Sequence, residues 1–251
     1  MSGHSKWATI KHKKAAIDAK RGKVFSRFSK EITVAAKNSG GDMDMNPRLR
    51  TAVLAARAVN MPADNIERAI KKGTGELPGV TYEEIMYEAY GPAGVGILIQ
   101  VVTDNRNRTT GEVRNVIEKR SGNLAASGAV SWQFSKKGFI IVDKTKVDED
   151  TLLLIVTEAG ADDMKTVDDA YEVITAVDSF EAVKKALEEK KIETRSIELT
   201  MLPASTVQVT DERDAANLLK LIDAIEELDD VQNVYANFDM DHALMEKVMA
   251  Q

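Results

Sequence analysis

The sequence predicts a multi-domain α+β protein in which an N-terminal three-helix domain precedes two α/β sandwich domains, one inserted into the other. Three observations carry this. Charge is segregated: residues 1–75 hold 16 Lys and Arg against 6 Asp and Glu, whereas residues 76–251 hold 18 against 34. Apolar spacing is helical up to Gly73 and changes to alternating strand and helix patterns beyond residues 75–79. A chain of 251 residues that is 43% hydrophobic can also build two or three cores at roughly 100 to 200 residues each.

Each element follows from its residues. Residues 1–22 are rich in cations, hold one acid (Asp18) and offer few large apolar groups, so burial does not offset their ordering entropy and they read as a mobile basic arm. From Lys23 onward Val24, Phe25, Phe28, Ile32 and Ala35 recur at three and four, predicting a helix that stops at Asn38-Ser39-Gly40-Gly41. Asn46 as N-cap and Pro47 in the first turn open a second helix with Leu49, Val53, Ala56 and Val59 on one face. A third starts near Pro62, buries Ala63, Ile66 and Ile70, and ends at Gly73. Arg48, Arg50, Arg57, Arg68, Lys71 and Lys72 are left for the surface of this head.

Further on, 82–90 and 96–103 read as strands joined by the turn Gly91-Pro92-Ala93-Gly94. Residues 106–121 read as a helix with Val113, Val116, Ile117 and Arg120 on one face, and 129–134 as a strand. Then come strand 139–142, helix 148–159, strands 164–167 and 171–176, helix 179–190 and strand 195–202. This β-α-β-β-α-β order is that of a ferredoxin-like sandwich, with Asp178 and Glu181 at capping-box spacing for its second helix. A strand at 207–209, a helix at 212–228 and a strand at 231–238 complete the unit begun at residue 82. The predicted domains are 1–77, then 78–134 together with 204–251, and 135–203 as the acidic insert.

Composition removes several function classes. Without cysteine there is no disulfide framework, thiol nucleophile or thiolate metal site. No apolar run reaches the roughly 20 residues of a membrane helix and the N-terminus has no secretory apolar core, so the expected location is the cytoplasm. His4, His12 and His242 have no metal-ligand spacing, and no serine sits in a nucleophile elbow, so the expectation is a non-enzyme without cofactor. Asp162, Asp163, Asp168 and Asp169, and Asp239 and Asp241 with His242, read as solvated turn groups. Asp42-Met43-Asp44-Met45-Asn46 opens like a calcium loop, but Pro47 stands where glycine is required. Lys137-Gly138-Phe139 begins like an RNA-recognition signature, but Ile141 replaces the stacking aromatic.

Two constellations remain. In the arm, Lys6, Lys11, Lys13, Lys14, Lys20, Arg21 and Lys23 surround Trp7 and His12, which combines phosphate-seeking cations with rings able to stack on bases. In the body, Thr103-Asp104-Asn105-Arg106-Asn107-Arg108-Thr109 spans a strand end and a helix start. Backbone donors there, with Asn105, Arg106 and Arg108, suit an anionic or polar group. Arg48 adds a cation on the head.

GHSKWATIKHKK at the start, YEAYGPAGVGILI in the middle, then TDNRNRT and SGNLAASGAVSWQF, closely resemble the YebC/PmpR family over essentially the whole chain. Members of that family are named probable transcriptional regulatory proteins, and it is similar to a mitochondrial translational activator of a cytochrome oxidase subunit. The resemblance implies three domains, one interrupting another. It implies DNA-binding regulation in some members and, in others, ribosome-associated translation factors that relieve stalling. It implicates Lys6, Trp7, Lys11, Lys13, Lys14, Asn105, Arg106 and Arg108. The family more usually has glycine at the positions of Ala89 and Ala93.

The function expected is non-enzymatic regulation of gene expression through nucleic acid, either DNA or ribosomal RNA. The helices ending at Asn60 and starting at Pro62 look too tightly joined, without glycine, for a helix-turn-helix, whereas a lysine-rich arm with Trp7 suits structured RNA. The alternative is a protein-interaction adaptor acting through the acidic domains.

Overall fold

A computed structural model describes residues 21–249 apart from Asp168. The head is formed by α1 (Arg21–Ser39), α2 (Pro47–Ala58) and α3 (Ala63–Thr74). Its core is Ile32, Ala35, Ala36, Leu49, Val53, Ala56, Ile66 and Ala69. Asn46 caps α2 as expected, accepting the Leu49 N–H at 3.0 Å. Its amide also donates to the carbonyls of Ala35 and Gly40 at 2.8 Å each, so one buried side chain fixes the α1–α2 connection.

The third helix departs from expectation. Gly73 lies within α3, and a Cβ there would stand 2.4 Å from the Thr33 carbonyl oxygen of α1, so this glycine permits helix contact. The left-handed cap is Gly75, at φ 83°. Ala63 is exposed and Ala69 takes the buried place, while Val59 lies just past α2 and is exposed. Asn60, at φ 58°, supplies the left-handed residue that the tight connection lacked in glycine. Steric tightness therefore does not argue against a helix-turn-helix. The first turn of α3 does, because it carries Asp64 and no cation where a recognition helix would meet bases.

The first sandwich begins with β1 (Glu83–Tyr90), β2 (Gly96–Thr103), α4 (Arg106–Glu118) and β3 (Asn123–Leu124). It resumes after the insert with β8 (Val207–Gln208), α7 (Glu212–Glu226), β9 (Val231–Ala236), β10 (Phe238–Asp239) and α8 (His242–Met249). Its sheet runs β3-β1-β2-β9, and α4 and α7 cover one face through Val113, Ile117, Leu218 and Ile222 packed on Ile97, Ile99 and Val101. The connection between β1 and β2 holds Ala93 at φ 58°, a left-handed conformation that disfavours a Cβ.

The insert consists of β4 (Phe134–Asp143), α5 (Glu149–Glu158), β5 (Ala161–Val167), β6 (Ala170–Thr175), α6 (Phe180–Glu189) and β7 (Ser196–Pro203). Its antiparallel sheet has the order β5-β6-β4-β7, the ferredoxin-like arrangement expected from the element order. Leu98, Val130 and Phe134, with Met201, pack at the joint between the sandwiches.

Four further expectations are corrected. Residues 129–134 are not a strand: a short 3₁₀ turn over 131–133 leads into β4. The strand expected over 231–238 breaks at buried Asn237, which accepts the Gly96 N–H at 2.8 Å and donates to Gln133 at 2.9 Å. Asp178 does not cap α6, whose N-cap is Ser179, without a side-chain cap bond. Finally, α8 was not expected, although Met245 and Val248 give it a buried face at helical spacing.

Candidate nucleic-acid interface

The described residues begin where α1 begins. Lys6, Trp7, Lys11, His12, Lys13, Lys14 and Lys20 lie outside them, as does the side chain of Arg21.

The segregated charge has an internal use. α1 lies against the body through Lys23, which reaches Glu227 at 3.1 Å, and Lys30, which reaches Asp230 at 2.6 Å. Arg27 donates to the Gln232 carbonyl, and burial pushes its guanidinium below its ordinary value. Arg48 is held by Glu31 at 2.8 Å and by Glu84 of β1, and these carboxylates raise its affinity for its proton. A phosphate at Arg48 would compete with both.

Asp230 organises the seam. Its carboxylate is 5% exposed and accepts from Lys30 at 2.6 Å, Arg108 at 2.7 Å, and the hydroxyls of Thr109 at 2.6 Å and Thr103 at 3.0 Å. Burial alone would raise its pKa, but the donors from Lys30, Thr109 and Arg108 outweigh that and hold it well below the usual carboxylate range. Thus much of the Thr103–Thr109 motif turns inward. Asn105 caps α4 by accepting the Arg108 N–H at 3.1 Å, and Arg108 also pairs with Asp104 at 2.8 Å. Arg106 and Asn107 remain exposed at the start of α4.

The seam opens as a cleft of about 640 Å³, lined by Gly22, Lys23 and Lys30 of α1 and by Asp104, Arg108 and Asp230 of the body. Lys23 of α1 and Asp104 of the Thr103–Thr109 motif, 81 positions apart in sequence, therefore line one cleft. With Glu112 and Asp229 also in the lining, four acids face three cations, so the cleft is a mixed-charge seam and not an anion pocket. Exposed cations lie at Arg106, at the start of α4, and on the head at Arg57, Arg68 and Lys72.

Sequence reasoning missed Lys30 and Asp230. The signal for Asp230 was the pair Asp229-Asp230 directly ahead of an apolar strand, an awkward place for two charges unless one is neutralised.

Among the described residues no group of three His, Asp or Glu side chains is placed to hold a metal ion. Asp162 and Asp163 lie in β5 and not in a turn; Asp162 pairs with Lys137 at 2.8 Å and the turn acid Asp169 with Arg195 at 2.8 Å, so these acids have protein partners, and Asp168 lies outside the described residues. No described helix is long and apolar enough to cross a membrane.

A helical head clamped onto the first of two α/β sandwiches, with the second inserted into the first, defines the architectural class as multi-domain α+β. Residues 5–76 match the model of the TACO1/YebC protein N-terminal domain, and residues 82–238 match that of the TACO1/YebC second and third domain. The chain belongs to the TACO1/YebC family. It is 57% identical over 249 residues to a probable transcriptional regulatory protein of Geobacter sulfurreducens, covering 99% of this chain and 100% of the relative. A protein of the same name from Syntrophobacter fumaroxidans is 55% identical over 248 residues, with the same coverage. The crystal structure of a conserved hypothetical protein from Aquifex aeolicus is 48% identical and superposes with a TM-score of 0.83, covering 94% of this chain and 98% of that one. The curated relatives carry regulatory, not enzymatic, names.

Proposed function

We propose that the protein is a non-enzymatic, RNA-binding translation factor that docks on the ribosome from its cytoplasmic location, with the basic arm and the rim of the seam as its interface. The observation that carries this reading is convergence. The arm sequence, with Lys6, Trp7, Lys11, His12, Lys13, Lys14 and Lys20, leads directly into α1, whose Gly22 and Lys23 line the cleft together with Asp104 and Arg108, the residues two positions either side of exposed Arg106. A lysine-rich segment that carries Trp7 and leads into this seam suits an irregular phosphate surface better than the regular groove of a duplex. The acidic first turn of α3 favours RNA over base reading in a DNA major groove. The domains in this reading are 1–77, 78–134 with 204–251, and 135–203.

The test is sedimentation of the tagged protein through a sucrose gradient, with and without ribonuclease, beside a variant with Lys11, Lys13 and Lys14 changed to Glu. Co-migration with ribosomal particles that is lost on charge reversal is the expected result. Protein left at the top of the gradient, with chromatin immunoprecipitation recovering discrete loci, would support the transcriptional role that the relatives' names carry. Association that survives charge reversal would place the contact on the acidic sandwiches, as an adaptor requires.

A further inference from the structure

We propose that Tyr90 and Trp132 form a stacking platform for an unpaired RNA base, at the end of the β1–β2 ladder opposite the seam; this deepens the RNA-binding reading above and rests on it. Trp132 is 75% exposed and Tyr90 is 36% exposed. The Trp132 indole N–H donates to the Ala129 carbonyl at 3.1 Å, and the Tyr90 hydroxyl donates to that same oxygen at 2.9 Å. Both lone pairs of one carbonyl thus fix two ring tips side by side. With their polar groups engaged, the rings have only their π surfaces to offer a ligand.

The platform stands on a rigid base. Glu88 is buried beneath the loop and accepts the N–H groups of Gly128 at 2.7 Å, Val130 at 2.6 Å and Ser131 at 2.9 Å. Val130 packs so close to Gly96 that a Cβ there would approach it to 2.9 Å, and the neighbouring Gln133 is tied to Asn237. A preorganised ring loses little freedom on binding, which favours a contact surface over a residue left outside the core by default.

The surroundings favour a base over an apolar protein partner. The exposed loop residues beside Trp132 are Ala126, Ser127 and Gly128, too small and polar to extend a hydrophobic patch. Opposite Tyr90 in the ladder is Asn123, and the turn leading into it carries Lys119 and Arg120. Paired rings beside cations are what single-stranded nucleic acid requires, since every base has a π face and every linkage a charge.

The chain has two tryptophans, Trp7 and Trp132, so Trp7→Phe leaves Trp132 as the sole indole reporter. The experiment titrates full-length protein with a fluorescein-labelled single-stranded RNA oligonucleotide, reading anisotropy for affinity and, with unlabelled RNA, indole emission for stacking. Expected are quenching in the Trp7→Phe protein, an affinity loss of about tenfold in Trp132→Ala, and retention in Trp132→Phe. Salt-sensitive RNA binding with unchanged indole emission and no loss in Trp132→Ala would overturn the platform and leave the RNA reading standing. No RNA binding by the wild type would overturn both. A change in self-association on Trp132→Ala, with RNA affinity unaltered, would reassign the surface to protein contact and overturn the proposal.

Discussion

Glu88 and Asp230 are both buried carboxylates in the first sandwich, and each is relieved differently. Glu88 takes three backbone N–H groups from the single distant loop at 128–131, whereas Asp230 takes two side-chain cations and two hydroxyls from three separate elements. Burial pushes each toward the neutral acid, and the donors keep each ionised below its ordinary pKa. The backbone solution fixes one loop. The side-chain solution joins the head to the body, and it commits Lys30 and Arg108 to structure before any nucleic acid arrives.

The largest expected effect is at the seam. Asp230→Ala leaves Lys30 buried without its carboxylate and should cost about 3 kcal/mol in denaturant unfolding; a loss no greater than a surface mutation would break the contrast. Glu88→Gln keeps one acceptor oxygen but turns a donor toward the loop N–H groups, with an expected cost of about 2 kcal/mol. That loss should be insensitive to salt, because no cation is involved.

Acid sharpens the comparison further. Because both folded pKa values are depressed, the stabilisation they give is complete above the unfolded values near 4 and is lost as pH falls through the folded ones. Stability measured by denaturant titration should therefore decline below about pH 4, and less steeply in Asp230→Ala than in the wild type. Equal slopes would show that Asp230 is not held ionised by its partners. The smallest effect belongs to the exposed end of the same seam. Lys23 pairs with a Glu227 that is 62% exposed, so Lys23→Ala should cost about 0.5 kcal/mol or less.

Much of the fold was legible because local signals and tertiary packing agree. Asn46-Pro47 announced α2, and the β-α-β-β-α-β order gave the sheet order of the insert. The failures fall where long-range contacts override local pattern. Gly73 looks like a helix stop until the Thr33 carbonyl is seen against it. Residues 129–134 alternate like a strand, but Glu88, some forty positions away, draws their N–H groups into a turn. The two basic motifs of the candidate interface were visible as motifs. The contact between α1 and the second motif was not, because it runs through Asp230, more than 120 positions from either Lys30 or Arg108.

The insert begins at Phe134 and ends at Pro203, and these two residues face each other across the β4–β7 ladder. From the standpoint of the host sandwich the whole ferredoxin-like module is therefore no longer than a hairpin turn. The host chain meets its own continuation without spanning a gap, so exchanging the module for a short turn is a local edit of the chain path, with the packed joint of Leu98, Val130, Phe134 and Met201 as the surface to be repacked.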